Sequence, residues 1–237
     1  MIVVQVTRMS SQRPIKPMVI IGSGGHAFCL REIAALAGFN VIGAIDRTAT
    51  DIQQVNGLPI LGGDDLLLDS SFIQDHQFAV GIGNPVARNR YGDLLLRQGA
   101  DCPPIINPSS YVSADASLGA GVLLMGMNAV NHGARLDDFV ALDWQVTVGH
   151  GSHLGRAVFA GPGSRVAGDV ECGKESYLGL GCQVIEKVSI GEHSVIGAGA
   201  TVTRNIPANV VAVGSPAKVI KENPLNTDHS LGPKLSG

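Results

Sequence analysis

From Val112 onward an aliphatic or small residue returns at every sixth position. The series runs Val112, Leu118, Leu124, Val130, Leu136, Leu142, Val148, Leu154, Ala160, Val166, Cys172, Leu178, Val184, Ile190, Ile196 and Val202. Glycine often follows directly, at 119, 155, 161, 173, 179, 191 and 197. The fourth residue after a guide position is usually small or β-branched, as at Val122, Val140, Ser152, Val158, Ser164, Val170, Ser176 and Ser194. A hairpin repeats with a period of about two and a helix with about 3.6, so neither produces this pattern. A sixfold repeat predicts a left-handed parallel β-helix in which each hexad supplies one short strand and one turn. Three hexads close a coil, the guide residues point inward, and glycine permits the tight corners. Asn205-Ile206-Pro207 breaks the phase, and residues 211–220 read as a closing strand and turn.

Ahead of the repeats the pattern changes. Met18-Val19-Ile20-Ile21 reads as a buried strand leading into Gly22-Ser23-Gly24-Gly25-His26, and helical spacing follows from Ala27 to Ala37. A second strand, Val41 to Ile45, ends at Asp46-Arg47. A third, Phe78 to Ile82, leads through Gly83-Asn84-Pro85 into a helix over 86–98. Alternating strands and helices predict a small parallel-sheet α/β domain. The expected organisation is an N-terminal extension (1–17), the α/β domain (18–104), the β-helix (105–221) and a flexible polar tail (222–237).

Composition narrows the class. Of 237 residues, 45% are hydrophobic and 16% charged, which excludes a disordered chain. Aromatic residues make up only 4%, so the core must be aliphatic. The net charge is −3 with no Lys/Arg cluster, which speaks against a nucleic-acid surface. The four cysteines show no metal or redox spacing and read as reduced, buried small hydrophobes. No signal-peptide pattern or membrane-length apolar run is present, so a soluble cytoplasmic protein is expected.

Two constellations carry chemistry. Glycines between a strand and a helix let backbone N–H groups approach a phosphate at the helix N-terminus. Asp46, ending the next strand, is placed to bond a ribose or base. The same glycines can simply make a tight turn, and His26 can be a solvated loop residue. The second constellation is His132 and His150, one coil apart on the same edge of the prism, with His153 three residues on. Outward histidines are by default surface decoration, but a neutral imidazole is also a natural general base. Asp137, Asp138 and Asp143 lie on adjacent hexads and could orient it. No serine or cysteine stands in a nucleophile motif, and Cys172 occupies an inward position, so direct transfer fits better than an acyl-enzyme.

Across residues 18–221 the chain resembles the sialic-acid O-acetyltransferase and nucleotide-aminosugar N-acetyltransferase family of hexapeptide-repeat proteins. The resemblance rests on Ile20 to His26, Val80-Gly81-Ile82-Gly83-Asn84, the hexads, and Gly214-Ser215-Pro216-Ala217-Lys218-Val219. It implies an acetyl-CoA-dependent transfer, within surface-polysaccharide biosynthesis, to the 4-amino group of a UDP- or dTDP-linked deoxysugar. The site would lie between subunits of a homotrimer, without a metal. By position it implies sugar-nucleotide contacts from Gly24, Gly25, His26, Asp46 and Asn84, and His150 as the base. Acetyl-CoA contacts are implied at Gly161, Gly168, Gly179, Gly197 and Lys218. Two departures stand out: Gly151 replaces the acid that usually follows the histidine, and Asp143 replaces an asparagine seven residues before it. Asp143 could therefore orient His150, or His132 could be the base. Three alternatives stay open: a sugar O-acetyltransferase, a γ-class carbonic anhydrase-like metal enzyme, and a non-catalytic nucleotide-sugar-binding trimer.

Overall fold

The computed structural model describes residues 16–47 and 53–223; the expected tail from 224 onward and residues 1–15 of the extension lie outside them. The front domain is built on β1 (Met18–Ile21), α1 (Gly25–Leu36), β2 (Val41–Ile45), β3 (Gln54–Val55), β4 (Leu58–Gly62), α2 (Ser70–Asp75), β5 (Gln77–Val80) and α3 (Pro85–Arg97). The strands form one sheet in the order β3-β4-β2-β1-β5, parallel except for the β3–β4 hairpin. That hairpin turns on Asn56-Gly57, both at positive φ, a two-residue signal that the hydrophobic pattern alone passes over. Every residue of β1 is buried. Met18 and Ile20 pack with α1, while Val19 and Ile21 pack with Tyr91 and Leu95 of α3.

The repeats wind into a left-handed β-helix of three parallel sheets. Pairing joins residues eighteen apart, as in Ala129 to Thr147 and Val130 to Val148. The first face runs from Ile105–Ile106 through Leu123–Leu124, Ala141–Leu142 and Phe159–Ala160 to Val210–Val213. The second holds Thr147–Val148 and its equivalents, and the third His153–Leu154 and its equivalents. Guide residues from Leu124 to Val202 form one buried cluster, joined by the inward residues four positions on. Four of the latter are serines with no exposure; their hydroxyls donate to corner carbonyls, as Ser152 Oγ does to Ala167 O at 2.7 Å. The coil ends on Lys218–Glu222, antiparallel to Val210–Val213.

Two expectations need correction. The glycines after the guide residues are not the left-handed corners. That conformation falls two residues later, where every sixth residue from Gly121 to Gly199 has φ between +52° and +70°, including Phe139, Asp169 and His193. The glycines at 119, 155, 173 and 191 answer a different demand. A Cβ there would stand 2.3–2.8 Å from backbone of the next coil, closer than any side chain allows. Cys29 is the other correction: it is exposed on α1, while Cys102, Cys172 and Cys182 are buried. Burial pushes the Cys172 thiol up to about 12, which suits a core residue and not a nucleophile.

The front domain rests on the first face. There outward residues become core: Leu123, Ala141 and Phe159 pack with Ala27, Leu30 and Ile33 of α1, and at the corner leading into that face Phe139 and Ala157 pack with Tyr91 and Leu95 of α3. At the same positions the other faces carry residues such as Thr147, Arg165, Arg135 and Glu171. Arg88 of α3 locks the contact. It is fully buried, and its guanidinium donates to Phe139 O (2.8 Å) and Ala157 O (2.7 Å) of the β-helix and to Ile82 O (2.9 Å) and Gly83 O (3.1 Å) of the front domain. Burial pulls the guanidinium down to about 9, still charged at neutral pH.

Candidate active site

The chain leaves β1 toward β2 on one side and returns to β5 on the other, so the C-terminal end of β1 is a topological switch point. A cavity of about 480 Å³ opens there, lined by Gly22 to His26, Asp46, Arg47, Gly81 to Asn84 and Tyr91. The start of α1 faces it, and Gly24 at the N-cap supplies no side-chain cap. Gly22 adopts φ +97°, and a Cβ on Gly81 would meet Ile20 and Ala27 within 2.9 Å, so both glycines serve the fold. Gly24, Gly25 and Gly83 differ. None has positive φ, and a Cβ on any of them would meet nothing within 4 Å.

The polar residues around the cavity are held in place. Ser23 donates to Asp46 Oδ2 through its N–H (3.0 Å) and hydroxyl (2.5 Å), which ties the glycine loop to the end of β2. Asn84 caps α3, its Oδ1 accepting from Ala87 N at 2.9 Å, so it already has a structural role. The Tyr91 hydroxyl bonds Asp64, and burial followed by the Asp64 charge raises its phenol well above the usual range. His26 sits edge-on to Phe159, with its buried Nε2 lacking a partner among the described residues. Burial first, then the Arg88 charge, lowers its pKa to about 4 against the opposing influence of Asp143, so the ring is neutral. A second cavity of about 360 Å³ adjoins through Gly83 and Asn84, walled by stacked Phe159 and Tyr177 and by the His193–Glu175 pair at 2.8 Å.

The histidines lie elsewhere on the prism. His132 and His150 occupy successive coils at the corner between second and third faces, and Gly151 N donates to His132 O. His132 Nδ1 lies 2.9 Å from Asp115; His150 Nδ1 lies 3.9 Å from Asp169. Asp143 belongs to the opposite end of Thr147–Val148, at the first corner, where its carboxylate accepts from Trp144 N at 2.7 Å and its charge is felt by His26. Within one chain the carboxylate beside His150 is thus that of Asp169. The His150 ring lies across Gly168 of the next coil, where a Cβ would fall 2.4 Å from Cε1. The Gly168 N–H has no acceptor among the described residues. His153 points out of the third face between Asp137 (2.9 Å) and Glu171 (3.0 Å), away from the other two. Asp138 turns back to Ala120 N and Arg156. Gly161, Gly179 and Gly197 lie at the first corner, with Lys218 on the closing strand. Among the described residues no three His, Cys, Asp or Glu side chains could hold a metal. Nor is any helix among the described residues long and apolar enough to cross a membrane.

Sequence reasoning passed over Arg88, Asp169 and the Glu175–His193 pair. Arg88 stands in a polar-looking helix with nothing in its neighbours to mark burial. Asp169 had a usable signal, since it falls one coil and one residue beyond His150.

This pairing of a switch-point cavity with a left-handed β-helix defines a class, and comparison narrows it. Residues 17–94 match the family model described as the PglD N-terminal domain. PerB from Caulobacter crescentus, solved with CoA and GDP-perosamine, is 34% identical, with a TM-score of 0.80 over 87% of this chain and 98% of that one. A histidine-to-alanine variant of that N-acetyltransferase with the same ligands aligns at a TM-score of 0.82, with 34% identity, over 88% and 98%. The PglB acetyltransferase domain of Neisseria gonorrhoeae, in complex with acetyl coenzyme A, is 28% identical over 86% and 99%, at a TM-score of 0.80. No curated protein matches the chain. The chain belongs to the sugar acetyltransferase family and is an acyltransferase.

Proposed function

We propose that the protein transfers the acetyl group of acetyl-CoA to the amino group of a nucleotide-linked amino-deoxysugar, with His150 as general base. The observation that carries this reading is the trio Gly24, Gly25 and Gly83: glycines on a switch-point cavity that neither backbone conformation nor packing requires. Their use is the close approach of a ligand to backbone N–H groups at the start of α1. Asp46, held by Ser23, suits a ribose hydroxyl, and the unpartnered Nε2 of neutral His26 suits a sugar hydroxyl or amine. The similar Caulobacter and Neisseria proteins hold CoA, acetyl coenzyme A or GDP-perosamine, which supports the same two substrates here.

The amine attacks the thioester carbonyl, forming the C–N bond as its proton passes to His150; the C–S bond then breaks and the thiolate leaves, taking up a proton. The Gly168 N–H beside His150 is the candidate donor to the developing oxyanion. Gly161, Gly168, Gly179 and Gly197 would flank the pantetheine arm and Lys218 its adenine end. In a single chain the cavity lies over the first face and His150 at the far corner, so the reaction needs a second copy. We take the assembly to be a homotrimer. Met127, Trp144 and Leu180, exposed by 58%, 41% and 59% at the first corner, support such an association. The tighter His132–Asp115 pair favours a second reading, with His132 as base.

The test is CoA release from acetyl-CoA with a panel of UDP-, dTDP- and GDP-linked amino and hydroxy sugars. His150→Ala is expected to lose roughly 10²–10⁴-fold in turnover while still binding the sugar nucleotide. An active His150→Ala beside an inactive His132→Ala would move the base. Turnover confined to hydroxy sugars would change the acceptor from nitrogen to oxygen.

A further inference from the structure

Two glycines in consecutive coils clear a space around His150. Gly168 has no Cβ to displace the ring, three of whose atoms lie within 3.0 Å of where a Cβ would stand. At Gly151 a Cβ would fall 2.4 Å from Asp169 Oδ1, so the carboxylate of the next coil occupies the room that a side chain at 151 would need. Asp169 N donates to His150 O at 2.8 Å, which pins the two residues' backbones together. Asp169 itself holds a corner conformation, φ +57°, that aspartate and asparagine tolerate better than most residues. Its Oδ1 is 3.9 Å from His150 Nδ1, an ion-pair approach longer than a formed hydrogen bond.

We propose that Asp169 is the positioning residue of the His150 base: its carboxylate, reaching into the space left by Gly151, holds the Nδ1–H tautomer and so presents Nε2 to the acceptor's proton. Both side chains are exposed, 70% for His150 and 49% for Asp169, so the pair adds little to stability; its effect is on orientation. The same logic recurs one coil down, where His132 Nδ1 meets Asp115 at 2.9 Å. There the acid comes from the coil before and not the coil after.

This proposal rests on His150 being the base, and the experiment separates the two. Histidine-labelled protein is examined by ¹⁵N NMR at neutral pH, with the His150 signals assigned by their loss in His150→Gln. Native protein is expected to hold His150 mainly as the Nδ1–H form, and Asp169→Asn to shift it toward Nε2–H. In turnover, Asp169→Asn should lower kcat by roughly 10- to 100-fold with both KM values unchanged, and Asp169→Glu should recover part of it. A native tautomer with native kcat in Asp169→Asn, beside an inactive His150→Ala, overturns the Asp169 role alone. An active His150→Ala overturns the base assignment and this proposal together. Asparagine preserves shape and corner conformation, and a circular dichroism spectrum matching the native one confirms that the comparison is between folded proteins.

Discussion

In the β-helix, a Cβ on the glycines at 119, 155, 173 or 191 would run into the backbone of the next coil; in the front domain a Cβ on Gly24, Gly25 or Gly83 would meet nothing within 4 Å. The histidines divide in the same way. His26 lines the cavity half-buried beside Arg88 and Phe159, whereas His132 and His150 stand out from a corner with carboxylates from neighbouring coils. A solenoid makes each coil pack on the next at one spacing, so these four glycines serve stability and its chemistry lies outside. The front domain closes around a switch-point cavity, so its glycines can be spared for a ligand.

The contrast can be broken most forcefully at the joint between the two regions. Arg88→Met removes the cation whose four hydrogen bonds join carbonyls of both regions, leaving those acceptors buried. The expected loss is about 3–5 kcal/mol, with the front domain melting before the β-helix in calorimetry. A single unshifted transition would mean the apolar contact alone holds the regions together.

Acid should act on the front domain through His26. Its folded-state pKa lies near 4 against an ordinary 6.5, so between these values the unfolded chain binds a proton that the folded one refuses. Its contribution is fully present above pH 6.5 and falls away as pH drops toward 4, by up to about 3 kcal/mol. Denaturant midpoints at pH 7 and pH 4.5 should converge in His26→Gln relative to native; an identical pH slope in both proteins would remove His26 as the cause.

Paired substitutions sharpen the comparison at smaller amplitude. Gly173→Ala forces a Cβ to 2.4 Å from Glu192 N and should cost about 1–3 kcal/mol in thermal stability. Gly24→Ala should stay within about 0.5 kcal/mol of native stability, yet weaken sugar-nucleotide binding in calorimetry by roughly tenfold. If Gly24→Ala destabilised the fold and left binding intact, the reading of the cavity would fail.

Much of this architecture could be read without coordinates, because a solenoid repeats a local rule. One inward residue in six specifies a strand, a corner and a register together, and each coil contacts only its neighbours. The strand–glycine–helix start of the front domain was legible for the same reason, being a contiguous segment. The Asn56-Gly57 hairpin was equally local, and passed unnoticed only because hydrophobic spacing carries no signal there.

What the chain's order could not reveal were meetings between distant segments. That Arg88 would be buried against Phe139 and Ala157, 51 and 69 residues away, depends on the front domain settling on the first face. The outward apolar series Leu123, Ala141 and Phe159 on that face was a trace of this docking, but not of its partner. Asp143 and His150 are seven positions apart in sequence yet sit at different corners, while Asp169, nineteen positions on, is beside the ring. Linear order determines the phase of the winding. Which side chains share a corner follows only once eighteen residues have closed each coil, and which regions share a core only once the two have packed.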